Sequence, residues 1–546
     1  MSEIQPPWSL DHLQNVGHCV TETAMRMPHA IAVAAPKRNR LAQWARLFRS
    51  THRHVSRTQF DTISFAQLEA ISNQIACGIL ESGVAPGTRV ALMIPPGIEF
   101  VAFVFGLFKA GVIVILIDPG MGRKNLIRCL SEAKPEGLVG IPLAHAARQI
   151  VRSKLPACRA NFVLGRWPGC ISTHGFAKFE SNHPPQLDHH RENSAAIIFT
   201  TGSTGPPKGV LYRHRVFIEQ ARQIRDYFKI PPGTVDVSGF PLFALFNTAM
   251  GATTVFPKMD ATRPAAIHPP EFIQAVNTFK ANQSFGSPAL WNTVCNYCER
   301  HSIRLPGIER VLSAGAPVPA RLLKRIKQLI AAAGEAYTPY GATEALPVAC
   351  IGATEVLRDT YSRSKQGAGT CVGQPFPDIK WRVIRITDEP LATMSDCELL
   401  ATGEVGELLV QGPVVTDQYV TRTAANAEHK VKDGGNFWHR MGDVGYLDQE
   451  NRFWFCGRKS HRVETAQGTM FTIPCEAVFN NHPKIYRSAL VGVRVPMKLS
   501  PAQQEEAADK RFETPVLIAE PLPEHWRDST EAQQILVREL RELGAG

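Results

Sequence analysis

The sequence predicts an α/β fold: a large, multi-lobed N-terminal domain with mostly parallel sheets plus an antiparallel subdomain, followed by a small α+β C-terminal domain. Three observations predict it. Short β-branched runs alternate with runs of helical length through most of the chain, this rhythm gives way to shorter strands and turns after about Gly369, and 546 residues exceed what one small core organises.

Taken in order, the strand-like runs of the large domain fall at 89–94, 112–117, 137–141, 195–200, 235–240, 253–256, 284–286 and 310–314. The run 112–117 is continuously apolar, as in a parallel strand covered on both faces. With the apolar stretch that precedes it from Ile98, it approaches the length of a bilayer-crossing helix. Lys109 and two glycines interrupt the stretch, so a buried helix followed by a buried strand is the expectation. Beyond Gly369, runs at 380–386, 406–411 and 445–455 read as the antiparallel subdomain. A Gly457-Arg458-Lys459 turn marks the start of the small domain, which holds strands at 488–493 and 515–519 and a helix over 530–543. The expected division is therefore 1–457 and 458–546.

Composition narrows the class. Hydrophobic residues at 44% and charged residues at 20% exclude a disordered or fibrous chain. The net charge of +11 fits polyanionic ligands such as nucleotides, and fits nucleic acid or an acidic membrane equally well. Much of the excess lies at 37–57, where seven Lys/Arg and two His interleave with Leu41, Trp44, Leu47 and Phe48. That stretch reads either as a solvated insertion between two strands or as a basic amphipathic surface for a membrane or a partner protein. The twelve cysteines are scattered, and residues 1–20 lack the apolar run of a leader, so a cytoplasmic location is expected. Cys295 and Cys298, with His301 nearby, lack a second cysteine pair and fall on an amphipathic helix over 291–301, which favours core thiols over a metal site.

The chemistry is concentrated in 197–209, Ile-Ile-Phe-Thr-Thr-Gly-Ser-Thr-Gly-Pro-Pro-Lys-Gly, a strand running into a loop of hydroxyls, glycines and one lysine. Gly202 and Gly205 let the backbone approach a phosphate, Thr200, Thr201, Ser203 and Thr204 supply short donors, and Lys208 supplies a compact positive charge. The Walker pattern of P-loop nucleotidases is excluded, because it needs Gly-Lys-Ser/Thr opening a helix, and Lys208 stands between Pro207 and Gly209.

This string resembles the signature of the adenylate-forming superfamily of acyl-CoA synthetases, peptide-synthetase adenylation domains and luciferases. Further segments similar to that family's motifs follow in its order. Gly315-Ala316-Pro317 resembles the adenine-contacting segment. Tyr340-Gly341-Ala-Thr343-Glu344 resembles the motif whose ring stacks on adenine, whose threonine contacts the α-phosphate and whose glutamate holds Mg²⁺; the resemblance adds Thr204 as a second metal ligand. Asp443, in Gly442-Asp-Val-Gly-Tyr446, and Arg458 correspond to the residues on the ribose. The resemblance implies the adenylate-forming enzyme fold with a mobile C-terminal domain. It also implies ATP and Mg²⁺ as cofactors, an organic acid as substrate and no nucleic-acid partner, with Lys208, Thr343 and Glu344 as catalytic residues. No segment like the family's C-terminal Pro-x-x-x-x-Gly-Lys lysine motif follows 530–543 before Gly546, so by the same resemblance the small domain reads as incomplete at its end.

Two departures bear on the second half-reaction. In 240–246, Phe-Pro-Leu-Phe-Ala-Leu-Phe, which resembles the acyl-pocket motif, Ala244 stands where many acyl-CoA synthetases carry histidine. The segment 460–468 also lacks the pattern associated with thioester formation. The wording of 240–246, 286–291 and 339–347 is most similar to the β-lactone synthetases of bacterial long-chain olefin biosynthesis. That likeness implies a long-chain 2-alkyl-3-hydroxy acid whose own hydroxyl closes the ring. The pocket would be lined by Phe243, Ala244, Phe246, Gly286 and Ser287, and other enzymes of the olefin pathway would be partners. A long-chain fatty acyl-CoA or acyl-AMP ligase is the alternative. A catalytically silent scaffold subunit is disfavoured by intact Lys208, Glu344 and Asp443. Deleting 37–57 is expected to leave turnover of soluble substrate and to weaken association with vesicles or a partner; unchanged association would remove the docking reading of that segment.

Overall fold

The computed structural model describes residues 9–37, 58–179, 181–199, 205–494, 512–526 and 529–545. The chain forms two compact units, one of residues 1–348, 376–378 and 412–426, the other of 349–375, 379–411 and 427–546. Position 458 lies inside the second unit.

The first unit is built on two sheets. In the first, Ile171–Ser172, Ala160–Val163, Gly137–Gly140, Arg89–Met93, Ile113–Leu116, Ser194–Phe199 and Gly209–Arg213 lie side by side, all parallel except the last pair. In the second, Glu335–Ala342, Arg310–Ser313, Gln283–Gly286, Val235–Ser238, Thr253–Val255 and Ile31–Pro36 run parallel, and Phe60–Ser64 closes the edge antiparallel. Each expected strand of the large domain is present. The expected run 235–240 stops at Ser238, whose hydroxyl donates to the Phe240 carbonyl (3.0 Å) as the chain turns into the helix Phe243–Ala249.

The apolar stretch from Ile98 is a helix, Ile98–Lys109, followed by the strand Ile113–Leu116. Among the described residues no helix is long and apolar enough to cross a membrane. The helix is hydrophobic on nearly every side, which suits an element enclosed by protein. Its main neighbour is the helix Phe65–Glu81, started by a Ser64/Gln67 capping box. The two cross so closely at Gly106 that a Cβ there would fall 2.6 Å from Ile75 Cγ2. Where they meet, the fully buried Lys109 gives its three ammonium protons to Glu69, Ser72 (2.8 Å) and Asn73 (2.8 Å). Desolvation still pulls Lys109 down to about 8 against the pull of Glu69.

In the second unit, Thr370–Cys371, Phe453–Arg458, Asn436–Leu447, Gly406–Gln411 and Lys380–Ile384 form an antiparallel sheet, with Lys430–Asp433 paired beside Asn436–Leu447. The expected strand 445–455 is interrupted by a tight turn. The Asp448 carboxylate accepts from the backbone N–H of Glu450 (3.1 Å) and Arg452 (2.9 Å), and Asn451 takes a left-handed φ of +57°. Arg440, 1% exposed, donates to Glu407 (2.6 Å) and to the carbonyls of Thr387 (2.6 Å), Glu389 (2.8 Å) and Glu428 (3.2 Å). Further along, Ile485–Val493 pairs antiparallel with Thr514–Pro521, and the helix Thr530–Ala545 follows. Cys295 and Cys298 are buried in the helix Pro288–Arg300, and burial pushes their thiols up to about 12 and about 11. The basic segment 38–57 lies outside the described residues.

Two expectations for stability follow. Replacing Glu69 by Gln leaves the Lys109 charge buried without its counter-charge, so unfolding free energy should fall by about 3–5 kcal/mol, and pairing it with Lys109→Met should recover part of that loss in urea titrations. His18, His189 and His214 gather where the first helix, the loop before Ser194–Phe199 and the helix His214–Tyr227 meet. Desolvation, reinforced by neighbouring imidazoles, holds His18 down to about 4 and His214 down to about 3. Below pH 6.5 the unfolded chain takes up these protons before the folded one does, so stability should decline as pH falls from 6.5 toward 4. His214→Phe should flatten that slope; an unchanged slope would place the acid sensitivity elsewhere.

Candidate active site

Parallel strands release their connecting loops at a common edge, and in open α/β sheets the carboxyl ends of strands are where ligands are bound. Four neighbouring strands of the second sheet bring candidate residues to that edge. Gly315, Ala316 and Pro317 form the exposed loop after Arg310–Ser313, with Gly315 at φ +92°, a conformation that disfavours any side chain there. Gly286 ends Gln283–Gly286, and the Ser287 hydroxyl caps the helix Pro288–Arg300 by accepting from Leu290 N–H (3.3 Å). Val235–Ser238 leads to the helix carrying Phe243, Ala244 and Phe246. Half-buried Tyr340 and Gly341 lie on Glu335–Ala342, and Thr343 and Glu344 form the turn beyond it.

Thr200, Thr201, Gly202, Ser203 and Thr204 lie outside the described residues. The far side of their loop is described: Gly205 is exposed, and half-buried Lys208 immediately precedes the strand Gly209–Arg213. A segment that the sequence reading did not single out, 415–421, runs alongside this strand. The Gly209 N–H donates to Thr421 Oγ1 (2.7 Å), Val420 N–H to the Gly209 carbonyl (2.9 Å) and Leu211 N–H to the Gln418 carbonyl (3.0 Å). The same segment holds the motif turn, because the backbone N–H (2.9 Å) and hydroxyl (3.0 Å) of Thr416 both donate to the Glu344 carbonyl. Tyr419, 2% exposed, donates its hydroxyl to Glu344 Oε1 (2.7 Å), and Lys208 Nζ stands 5.2 Å from the centre of its ring. Tyr212 donates to the Thr343 carbonyl (2.5 Å), and burial pushes its phenol up. Thus Lys208 and the distant turn of Thr343 and Glu344 are linked through Tyr212, Thr416 and Tyr419. A lone tyrosine in an irregular segment carries no periodic signal, and Tyr212 lies in the run Val210-Leu211-Tyr212, which is buried throughout and so shows no alternation either.

The acyl-side residues are linked by rings. Phe243 stacks on Phe285 (4.2 Å between centroids), Phe240 leans on Phe285 (5.9 Å), and Phe246 touches Phe243 (6.0 Å) and Phe217 (6.4 Å). Phe217 in turn packs on Tyr212 (4.8 Å), so the aromatic row reaches the tyrosine bonded to Thr343. Ala244 is fully buried, on the packed side of its helix. Asn247 anchors that helix to Asp236 (2.8 Å), whose burial pushes its carboxyl up to about 6.

Within the second unit, Asp443 and Arg458 are register partners on adjacent strands, and Arg458 Nη1 lies 2.8 Å from Asp443 Oδ1. Arg458 also donates to the Met441 carbonyl (3.3 Å). A pocket for Mg²⁺ can be assessed from the donors present. Among the described residues no three His, Cys, Asp or Glu side chains form a metal cage. Glu344 offers a half-buried hard carboxylate hydrogen-bonded to Tyr419, and one carboxylate completed by nucleotide phosphates is the donor set that suits magnesium. The residues therefore fit that ion.

Comparison with known proteins identifies the family. Residues 41–420 match the family model described as AMP-binding enzyme. The chain is 44% identical over 449 residues to the olefin beta-lactone synthetase of Xanthomonas campestris pv. campestris, covering 81% of this chain and 80% of that protein. To the protein of the same name from Stenotrophomonas maltophilia it is 42% identical over 487 residues, covering 88% and 85%. Among solved structures, the amide bond synthetase McbA from Marinactinospora thermotolerans superposes with a TM-score of 0.73 at 19% identity over 96% of this chain and 93% of that one, a likeness of fold. Motif order, sheet architecture and family match converge: the chain belongs to the AMP-binding family of adenylate-forming enzymes.

Proposed function

We propose that the chain activates a long-chain 2-alkyl-3-hydroxy acid with ATP and closes it to a β-lactone, releasing AMP and pyrophosphate, in long-chain olefin biosynthesis. The observation that carries this reading is the 44% identity, over four fifths of both chains, to a protein named for that reaction.

The chain's residues divide the work. Attack of a carboxylate oxygen on the α-phosphorus brings two anions together, so alignment and positive charge must come from the site. Lys208 supplies fixed charge to the triphosphate, Thr343 borders the α-phosphate, and the Thr200–Thr204 loop with Gly205 cradles the remaining oxygens. Tyr340, Gly341 and the 315–317 loop receive the adenine, and Asp443 with Arg458 receives the ribose. Glu344 with Thr204 would hold Mg²⁺, which when bound neutralises phosphate charge and acts as a Lewis acid. The P–O bond to pyrophosphate breaks as the acyl-adenylate forms. The substrate's 3-hydroxyl then attacks the acyl carbon, its proton is lost, and AMP departs. Tethering gives this nucleophile a high effective concentration, which offsets part of the ring strain, and no thiol is required. The aromatic row from Phe240 to Phe217 supplies apolar surface for the alkyl chains, together with Gly286 and Ser287. Twelve cysteines that form no disulfide among the described residues support a reducing cytoplasm as the location. Other enzymes of the pathway and peripheral membrane contact through 37–57 complete the proposal, as does a small domain that moves about Arg458.

Two measurements test it. Glu344→Gln and Lys208→Ala should each lower ATP–pyrophosphate exchange by at least about a hundredfold while the folded baseline persists; parental exchange in both would refute the site. Mass spectrometry after incubation with ATP, Mg²⁺ and a synthetic 2-alkyl-3-hydroxy acid should give a product lighter by one water with or without coenzyme A. A thioester formed only with coenzyme A would make the chain an acyl-CoA ligase instead.

A further inference from the structure

Resting on the assignment of Lys208 and Glu344 to the nucleotide site, we infer that Tyr419 is a positioning residue that sets both groups at once. Its hydroxyl fixes the rotamer of Glu344, and its ring face seats the Lys208 ammonium. The two contacts use different parts of one side chain, the hydroxyl edge at 2.7 Å and the ring face at 5.2 Å. Each suits its partner, because an ionised carboxylate is a strong acceptor for a phenol and an ammonium is drawn to the negative face of an aromatic ring.

Tyr419 is itself held rigidly. Its backbone N–H donates to Asn426 Oδ1 (2.8 Å), and Asn426 Nδ2 donates back to its carbonyl (3.0 Å). Tyr419 also bridges antiparallel to Val210, two residues beyond Lys208, while Val415 bridges to Ala345, the residue after Glu344. One short segment therefore fixes the backbones of both candidate residues as well as their side chains. Functional groups work best when the residues that aim them are themselves locked by packing and hydrogen bonds, and Tyr419 meets that condition at 2% exposure. Without these two contacts Glu344 and Lys208 would each be less restrained before the nucleotide arrives, at an entropic cost to binding.

The test separates the two contacts. Tyr419→Phe removes the hydroxyl and keeps the ring; Tyr419→Leu removes both. Calorimetric binding of a non-hydrolysable ATP analogue to the full chain would be measured with Mg²⁺ and with EDTA, alongside urea unfolding. The phenylalanine chain is expected to bind the analogue as the parent does in EDTA and to lose about tenfold of the strengthening that Mg²⁺ confers, at an unchanged unfolding midpoint. The leucine chain should also weaken binding in EDTA, because Lys208 loses its seat. A phenylalanine chain with the parent's Mg²⁺ dependence would overturn the inference. So would equal weakening with and without Mg²⁺ accompanied by a lower unfolding midpoint, which is the behaviour of a packing residue. Glu344→Gln, measured in parallel, identifies the source of a negative result. If it too keeps the full Mg²⁺ effect, the nucleotide-site assignment itself has failed; if it loses that effect while Tyr419→Phe does not, only the role of Tyr419 is refuted.

Discussion

Parallel pairing is the constraint on which the first unit depends. A parallel strand cannot return through a tight turn, so every pair requires a crossover, and the crossovers cover both faces of the sheet. The continuous apolar strands Ile113–Leu116 and Gly137–Gly140 and the enclosed helix Ile98–Lys109 are consequences of that demand. Another is the one polar side chain of that helix to sit fully inside, Lys109, which must carry its own partners with it. The loops left over at the carboxyl edge are then available for chemistry, and 315–317, 286–287, 343–344 and the turn into Phe243–Ala249 all arise there.

The antiparallel unit solves a different problem. Its strands connect directly and need less helical cover, and Arg440 organises the region by donating to Glu407 and to three carbonyls from two separate segments. Lys459 adds a second cation on Glu407 (3.2 Å) next to Arg458 in sequence. The strand that ends with Arg458, the ion-pair and register partner of Asp443, is thus followed at once by an anchored residue.

Much of this was legible in the chain itself. Strands of the parallel sheets declare themselves as short β-branched runs, because burial on both faces leaves no alternation to interpret. Their ends were less legible, since Ser238 and Asp448 terminate pairing through side-chain hydrogen bonds that no periodicity encodes. The antiparallel hairpin at 445–455 has the apolar texture of a single strand for that reason. At the site, residues in glycine-rich or signature strings could be picked out, while those that aim them could not. Tyr419 and Thr416 acquire their significance from lying opposite Glu344, more than seventy positions away, and a single sequence holds no trace of that proximity. Asp443 and Arg458 were legible only through their motif, and their register pairing explains why two residues fifteen positions apart belong together.

The aromatic row that joins Phe240 to Tyr212 has an evolutionary corollary. Phe285, Phe243, Phe246 and Phe217 touch in sequence, and Tyr212 bonds the carbonyl of Thr343, so packing runs without a break from the helix Phe243–Ala249 to the turn at 343–344. Trimming one ring of the row would be felt along it as far as Thr343. Residues in contact couple, so under the proposed function substitutions along this row would be non-additive with changes at Thr343, and a shift in chain-length preference would call for repacking the row in concert.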